Sequence, residues 1–245
     1  MGSFVALHNK IYVGHLDLTG LANRIDFGPL TRDMKDATTY ADGGYSCVKP
    51  GLIKGEARVA GFQDWAADVL DDEISVGQLG TQYPISVIPN ASGTVAAGDP
   101  CWLSRGLLDS QGLPFVKGEM AAFDWHMGYD TAAVRGFVGH PLAARTSSAD
   151  GTAVALGGPT ASQSLYAALH VMAFSGLTNI VVKVQSDDNS GFSSATDRIT
   201  FSTVTATTSE WKSVAGSFSS ETHLRASWAV TGTGSCTFAV TFGVL

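Results

Sequence analysis

Apolar and polar positions alternate with a period of two along most of this chain, and a helical period appears once. Residues 4–18 read as one or two strands. In KIYVGHLDLTG, Tyr12, Leu16 and Leu18 share one face, and Ile11, Val13 and His15 share the other. Lys54, Glu56 and Arg58 alternate with Gly55, Ala57 and Val59 in a second strand. Further strands are predicted at Tyr83–Pro89, at Cys101–Asp109 paired with Lys117–Met127, and near Gly136–Ala144. On the pair, Leu103, Arg105, Leu107 and Asp109 face together, and Asp124 and His126 oppose Phe123 and Trp125. The one helical pattern covers 64–72. Asp64 is placed to accept from the first-turn N–H groups, with Trp65, Val69 and Leu70 on the buried face.

After residue 150 the alternation sharpens. LYAALHVMAF is apolar on both faces, as a central sandwich strand would be. IVVKVQS sets Ile180, Val182 and Val184 against Val181, Lys183 and Gln185. LRASWAVT puts Leu224, Ala226, Trp228 and Val230 inside, and CTFAVTFGV does the same with Phe238, Val240 and Phe242. With Arg198–Val204 and Glu210–Ala215 this makes about six short strands, with turns at 187–191 and 231–234. The prediction is all-β with one short helix. It comprises a β-sandwich or split barrel over 1–150, then a linker and a second antiparallel β-sandwich over 151–245. Thr146–Ser164, poor in large apolar residues, is the boundary, and part of it is expected to cross back over the first domain. No internal repeat relates the halves.

Residues 28–51 break the alternation. The stretch is rich in Asp, Thr, Gly and Tyr, and loops of that length inside compact domains tend to be functional or disordered. Tyr40, Tyr45 and Val48 argue for a surface to bury against, so the stretch reads as an extended arm or hairpin that packs on another subunit.

Composition narrows the function. The 245 residues are 44% hydrophobic and 15% charged, an ordered globular mixture with net charge −7. Residues 1–150 hold 11 basic and 17 acidic side chains, and 151–245 hold 4 and 5. There is no basic run to grip phosphates. Cys47, Cys101 and Cys236 are odd in number and widely spaced, which fits free buried thiols in a reducing compartment. Met1-Gly2-Ser3-Phe4 does not open like a secretory signal, and no apolar run reaches membrane-spanning length. Synthesis and assembly in a cytoplasm are expected.

Catalytic chemistry is hard to find. There is no nucleophile elbow, P-loop, zincin helix or paired-cysteine site. The histidines at 8, 15, 126, 140, 170 and 223 lack ligand spacing. His170, in the most apolar strand, reads as a hydrogen-bonded core residue. Asp71-Asp72-Glu73 and Asp187-Asp188 fit a helix end and a turn. DDNSG lacks the spacing and terminal Glu of a calcium loop. Trp228 falls with the core residues, and Trp211 is ambiguous as a sugar platform. The mixed-sign Lys54/Glu56/Arg58 face fits either a solvated edge strand or a strand paired across subunits in a closed ring.

The order HLDLTG, long arm, PGLIKGEARVAGF, short helix, PISVIPN, GDPCWLSRGLLDS and KGEMAAFDWHMGYD resembles the tail tube proteins of long-tailed bacteriophages. LYAALHVMAFSG through SCTFAVTFGVL resembles the C-terminal sandwich domains attached to such proteins. The resemblance implies a structural virion protein, not an enzyme, with no cofactor and no metal. Six copies would form a ring, and rings would stack into a tube that passes double-stranded DNA without binding it specifically. Tape measure and other tail proteins would be partners. It implies Tyr40, Tyr45 and Val48 in ring stacking. It places Lys54, Glu56, Arg58, Arg105, Asp109 and Asp124 on the lumen or on inter-subunit strands, and the C-terminal sandwich on the tube exterior. A tail terminator, a capsid-decorating protein, or a carbohydrate-binding adhesin acting through the C-terminal sandwich are the alternatives.

Overall fold

The computed structural model describes residues 8–28, 30–39, 45–65, 70, 78–89 and 93–245. Tyr40, the expected strand start at 4–7 and most of the expected helix lie outside these residues. Within 64–72, Leu70 is helical and 1% exposed. Trp65 departs from the expected buried face. It is 53% exposed, because its indole stacks on Phe115 at 6.1 Å instead of entering the core.

The fold is nearly all β, and every pairing is antiparallel. The N-terminal strands are β1 (Lys10–Val13), β2 (Leu16–Asp17), β3 (Ala22–Phe27), β4 (Thr31–Asp36), β5 (Val48–Lys54), β6 (Glu56–Phe62), β7 (Gln82–Ile88), β8 (Pro100–Gly112), β9 (Ala122–Tyr129) and β10 (Val134–Arg145). They are followed by β11 (Ala149–Asp150), β12 (Val154–Ala155), β13 (Ser164–Asp187), β14 (Thr196–Thr200), β15 (Thr208–Ala215) and β16 (His223–Val244). Among the described residues fourteen strands form one sheet, with the path β14-β13-β16-β10-β8-β7-β1-β2 and a branch β8-β9-β6-β3. Strands β4 and β5 form a separate two-stranded ribbon.

The branch folds the N-terminal part of the sheet into two layers. Strand β8 is long enough to pair with β7 and β10 near its start and with β9 near its end. The β1/β2/β7 layer then faces the β6/β9 layer across one apolar cluster. Ile11, Val13, Ile85, Val59, Phe123, Trp125 and Met127 fill it. Each such large side chain contributes roughly 1.5–3 kcal/mol on burial. The expected grouping of Tyr12 with Leu16 and Leu18 does not hold. The chain reverses at Gly14–His15, so Val13 pairs with Leu16, and both leucines join Ile11 and Val13. Tyr12 points instead into a second cluster with Ala168 and Ala239.

The C-terminal half is built from fewer and longer strands than the six expected. LYAALHVMAF and IVVKVQS are one strand, β13, and LRASWAVT and CTFAVTFGV are one strand, β16. These two strands pair along their whole length and bend together. Register shifts fall between Val171 and Asn179, opposite Gly232 and Gly234. The expected turn at 231–234 is therefore a corner inside a ladder. Gly176 and Gly232 take φ of +74° and +94° there. A Cβ on Gly232 would sit 2.7 Å from the Thr178 amide nitrogen. Beyond the corner the ribbon folds back on itself. Leu165, Leu169 and Val171 from one arm of β13 meet Ile180, Val182 and Val184 from the other, together with Trp228, Phe238 and Phe242. One bent ribbon thus supplies both layers of a sandwich. In the linker 146–164, β11 and β12 pair with β16 at Trp228 and Leu224, and a Cβ on Gly151 would lie 3.5 Å from the Gly139 carbonyl oxygen of β10, so the linker also borders the N-terminal half.

The corner generates a stability prediction. Gly232→Val should cost on the order of 2–4 kcal/mol, through positive-φ strain and the close Thr178 backbone. Urea unfolding of the two proteins checks it. A change within a few tenths of a kcal/mol would show that the corner tolerates a side chain.

Candidate functional site

Two features stand out on this scaffold, a charged strand face and an apolar arm. The charged face follows from alternation on β6, β9 and the end of β8. Ala57, Val59, Phe123, Trp125 and Met127 turn inward, so Glu56, Arg58, Asp124 and His126 turn outward. Register sets Arg58 opposite His126, and Ser110 opposite the same histidine. Arg58 forms a two-pronged ion pair with Asp124, its Nε 2.8 Å from Oδ1. The guanidinium beside Asp124 holds that carboxyl below the usual range. His126 sits between two carboxylates, Nδ1 2.6 Å from Asp109 Oδ1 and Nε2 2.7 Å from Glu56 Oε2. A neutral imidazole has one N–H and cannot donate to both. The two acceptors, Asp109 first, raise the His126 pKa.

Four of the six residues predicted for the lumen or inter-subunit strands therefore meet in one patch: Glu56, Arg58, Asp109 and Asp124. Arg105 lies apart, paired with Asp130 at 2.8 Å. Lys54 is not on the strand of Glu56 and Arg58. The ladder breaks at Gly55, where a Cβ would meet the Tyr129 ring at 2.6 Å, and Lys54 ends β5 opposite Thr31. His126, the centre of the patch, was not picked out by sequence reasoning. The available signal was its i,i+2 placement with Asp124 on the polar face of β9.

The arm is the β4–β5 ribbon. It prolongs the β3–β6 hairpin past the break in the ladder at Gly28 and Gly55, with Phe27 opposite Ala57 before the break and Thr31 opposite Lys54 after it. Cross-strand partners share a face. Arg32/Ile53, Met34/Pro50 and Asp36/Val48 therefore lie on one side, and Thr31/Lys54 and Lys35/Lys49 on the other. The first side is largely apolar and open: Met34 is 54% exposed, Val48 53% and Ile53 60%. Tyr45, which precedes β5, is 81% exposed.

One serine–histidine pair needs separate treatment. Ser86 Oγ lies 2.8 Å from His170 Nε2, and His170 Nδ1 lies 2.6 Å from the Gly14 carbonyl oxygen. Ser86 also bonds Thr241 at 2.8 Å. All three side chains have no exposed surface, so they tie β7 to β13 and β16 and present nothing to a substrate. Burial pushes the His170 pKa down to about 4, and burial with the nearby Arg145 does the same for His140. In the DDNSG turn, Asp187 accepts from the Asn189 and Ser194 amides at 3.1 and 2.8 Å, so its oxygens close the turn. Among the described residues no three His, Cys, Asp or Glu side chains gather as metal ligands.

These histidines give opposite pH signatures. The His126 contribution is whole below its unfolded pKa near 6.5 and is lost as pH rises through its raised folded value. Those of His140 and His170 are whole above about 6.5 and are lost as pH falls toward 4. In a proton NMR titration His126 should titrate above the ordinary imidazole range, while His170 stays neutral down to about pH 5. His126→Gln should destabilise more at pH 5.5 than at pH 8.5. An equal loss at both values would contradict the charged-pair reading.

No protein-family model matches the sequence, and no curated protein does. Among solved structures, a chain from the virion of a native gene transfer agent particle matches 54% of this chain and 97% of its own length. Its identity is 14% and its TM-score 0.38. The phage SPP1 Dit protein, described as a paradigm of the hub adsorption apparatus in phages infecting Gram-positive bacteria, matches 97% of this chain and 99% of its own. Its identity is 10% and its TM-score 0.35. At such TM-scores the likeness carries no weight for function.

Proposed function

We propose that this chain is a structural virion subunit that self-assembles, through its arm, into stacked hexameric rings forming a phage-type tail tube. The arm carries the reading. A two-stranded ribbon alone in water is marginal, and this one leaves Met34, Val48, Ile53 and Tyr45 uncovered. Such a ribbon is stabilised by a partner surface, and a repeated subunit offers one at every step. Ring closure has its own support. Strand β3 is hydrogen-bonded only to β6 among the described residues, so its outer edge is open to a neighbour's strand.

In this reading 1–150 is the tube domain and 151–245 lies on the exterior. The Glu56/Arg58/Asp109/Asp124/His126 face lines the lumen, with Lys54 and Arg105 at its margins. Glu56, Asp109 and Asp124 are balanced by Arg58, His126 and Lys54, and Arg105 is paired with Asp130, so the wall has no basic excess to hold phosphate. Such a wall lets double-stranded DNA pass without sticking. Tape measure and other tail proteins are the further partners, and assembly takes place in the bacterial host before the protein joins the virion. A tail terminator or capsid-decorating subunit would use the same arm, and labelling in intact particles separates these by position and copy number. The adhesin reading has less support. Trp228 is 4% exposed with its indole N–H donating to the Ser147 carbonyl, and Trp211 tilts against Tyr166 at 5.8 Å.

Replacing 29–54 with a short Asn-Gly turn between Gly28 and Gly55 tests the proposal. The shortened protein should keep its β circular dichroism and a melting temperature within a few degrees of the full chain. It should stop at single rings where the full chain forms stacked rings or tubes in negative-stain micrographs. Tubes from the shortened chain would remove the arm from assembly.

A further inference from the structure

We infer that the arm docks its apolar face onto an aromatic patch at the far end of the same sheet in a second copy, so that copies join head to tail. This rests on the self-assembly reading and specifies where the arm lands. The patch comprises Phe62, Trp65, Phe115, Val116 and Met120, which are 39%, 53%, 65%, 55% and 67% exposed. Trp65 stacks on Phe115 at 6.1 Å, and the Gln63 amide donates to the Ala121 carbonyl at 3.0 Å. The end of β6 and the 113–121 loop are thereby held together. Single exposed apolar side chains are ordinary, but a contiguous aromatic group marks an interaction surface.

Position and charge both point to a second copy as the occupant. In the β6–β9 ladder Glu56 pairs with Gly128 and Phe62 with Ala122. The arm leaves from the Glu56 end and the patch caps the Phe62 end, roughly 20 Å away at ~3.3 Å per residue. Two different surfaces at opposite ends of one sheet define a heterologous contact, which repeats along an axis. An arm-to-arm contact would leave the patch open on every copy, whereas head-to-tail docking covers both surfaces at once. The arm strands carry Arg32, Lys35, Lys49 and Lys54 against Asp33 and Asp36, so they are net basic on a chain of net charge −7. The described part of the patch is the reverse: Asp64 and Glu119 outnumber its one basic residue, Lys117, and residues 59–104 contain no Lys or Arg.

Complementation tests this in the full chain. Met34→Asp/Ile53→Asp spoils the arm's apolar face and leaves the patch. Trp65→Ser/Phe115→Ser spoils the patch and leaves the arm. All four positions are exposed, and unchanged thermal melting confirms that both variants fold. By light scattering after gel filtration, each variant alone should stop at a single ring where the wild type forms stacked rings. An equimolar mixture of the two rings should form a two-ring stack that grows no further, because good arms on one ring seat on good patches of the other. A patch variant that stacks like the wild type overturns the docking but leaves the arm's role intact, as does a mixture that stays at single rings. A wild type that is monomeric under all conditions overturns the self-assembly reading and this inference with it.

Discussion

The paired, bent ribbon of β13 and β16 is the constraint on which the rest of the molecule depends. Its two strands hydrogen-bond throughout and turn one corner together, so a single ladder becomes both walls of the C-terminal sandwich. The C-terminal end of β16 then pairs with β10, and β10 pairs with β8, which carries the sheet into the N-terminal half. Leu165–Val171 is consequently buried on both faces. One face looks into its own sandwich, and the other meets β1, β7 and β8 through Ala168, Tyr166 and His170. A strand buried on both sides has no polar alternation, which is why LYAALHVMAF is apolar throughout. The one polar exception, His170, is satisfied by the Gly14 carbonyl and Ser86, so burying it leaves no open donor or acceptor.

Much of this was legible in the sequence because alternation is a local property. The inward sets Ile180/Val182/Val184, Leu224/Ala226/Trp228 and Phe238/Val240/Phe242 were readable directly, as were the β6 and β9 faces. What alternation does not encode is whether a strand ends or bends at a glycine pair. Thr231-Gly232-Thr233-Gly234 has the residues of a hairpin turn, yet its glycines serve a corner. The distinguishing condition is that Gly176, more than fifty residues earlier, bends at the same level. The same gap explains the split at Gly55. The residue looks like an ordinary inward position, and only the Tyr129 ring packed against it shows why the strand breaks there.

The charged face was legible in part for a similar reason. Alternation placed Glu56 with Arg58, and Asp124 with His126, but not one pair beside the other. Only the β6–β9 register sets Arg58 opposite His126, which leaves His126 between Glu56 and Asp109. Arg105 fell elsewhere because β8 is irregular between Leu108 and Ser110, so the face it shares early in the strand is not the face that meets His126.

The arm marks the limit of what a single chain can specify. Phe27 and Ala57 close the last pair inside the sheet; beyond Gly28 and Gly55 the ribbon has no core to lean on. Backbone pairing alone contributes little net stability per hydrogen bond, and the apolar side of the ribbon faces water. In the proposed assembly its order would increase with occupancy of a partner site, as for any segment whose ordering entropy is offset only on binding. An arm that was fully stable alone would also be a permanently sticky edge, liable to pair at random. A marginal ribbon set beyond the break in the ladder avoids this, because its apolar face gains most where a complementary surface is already presented.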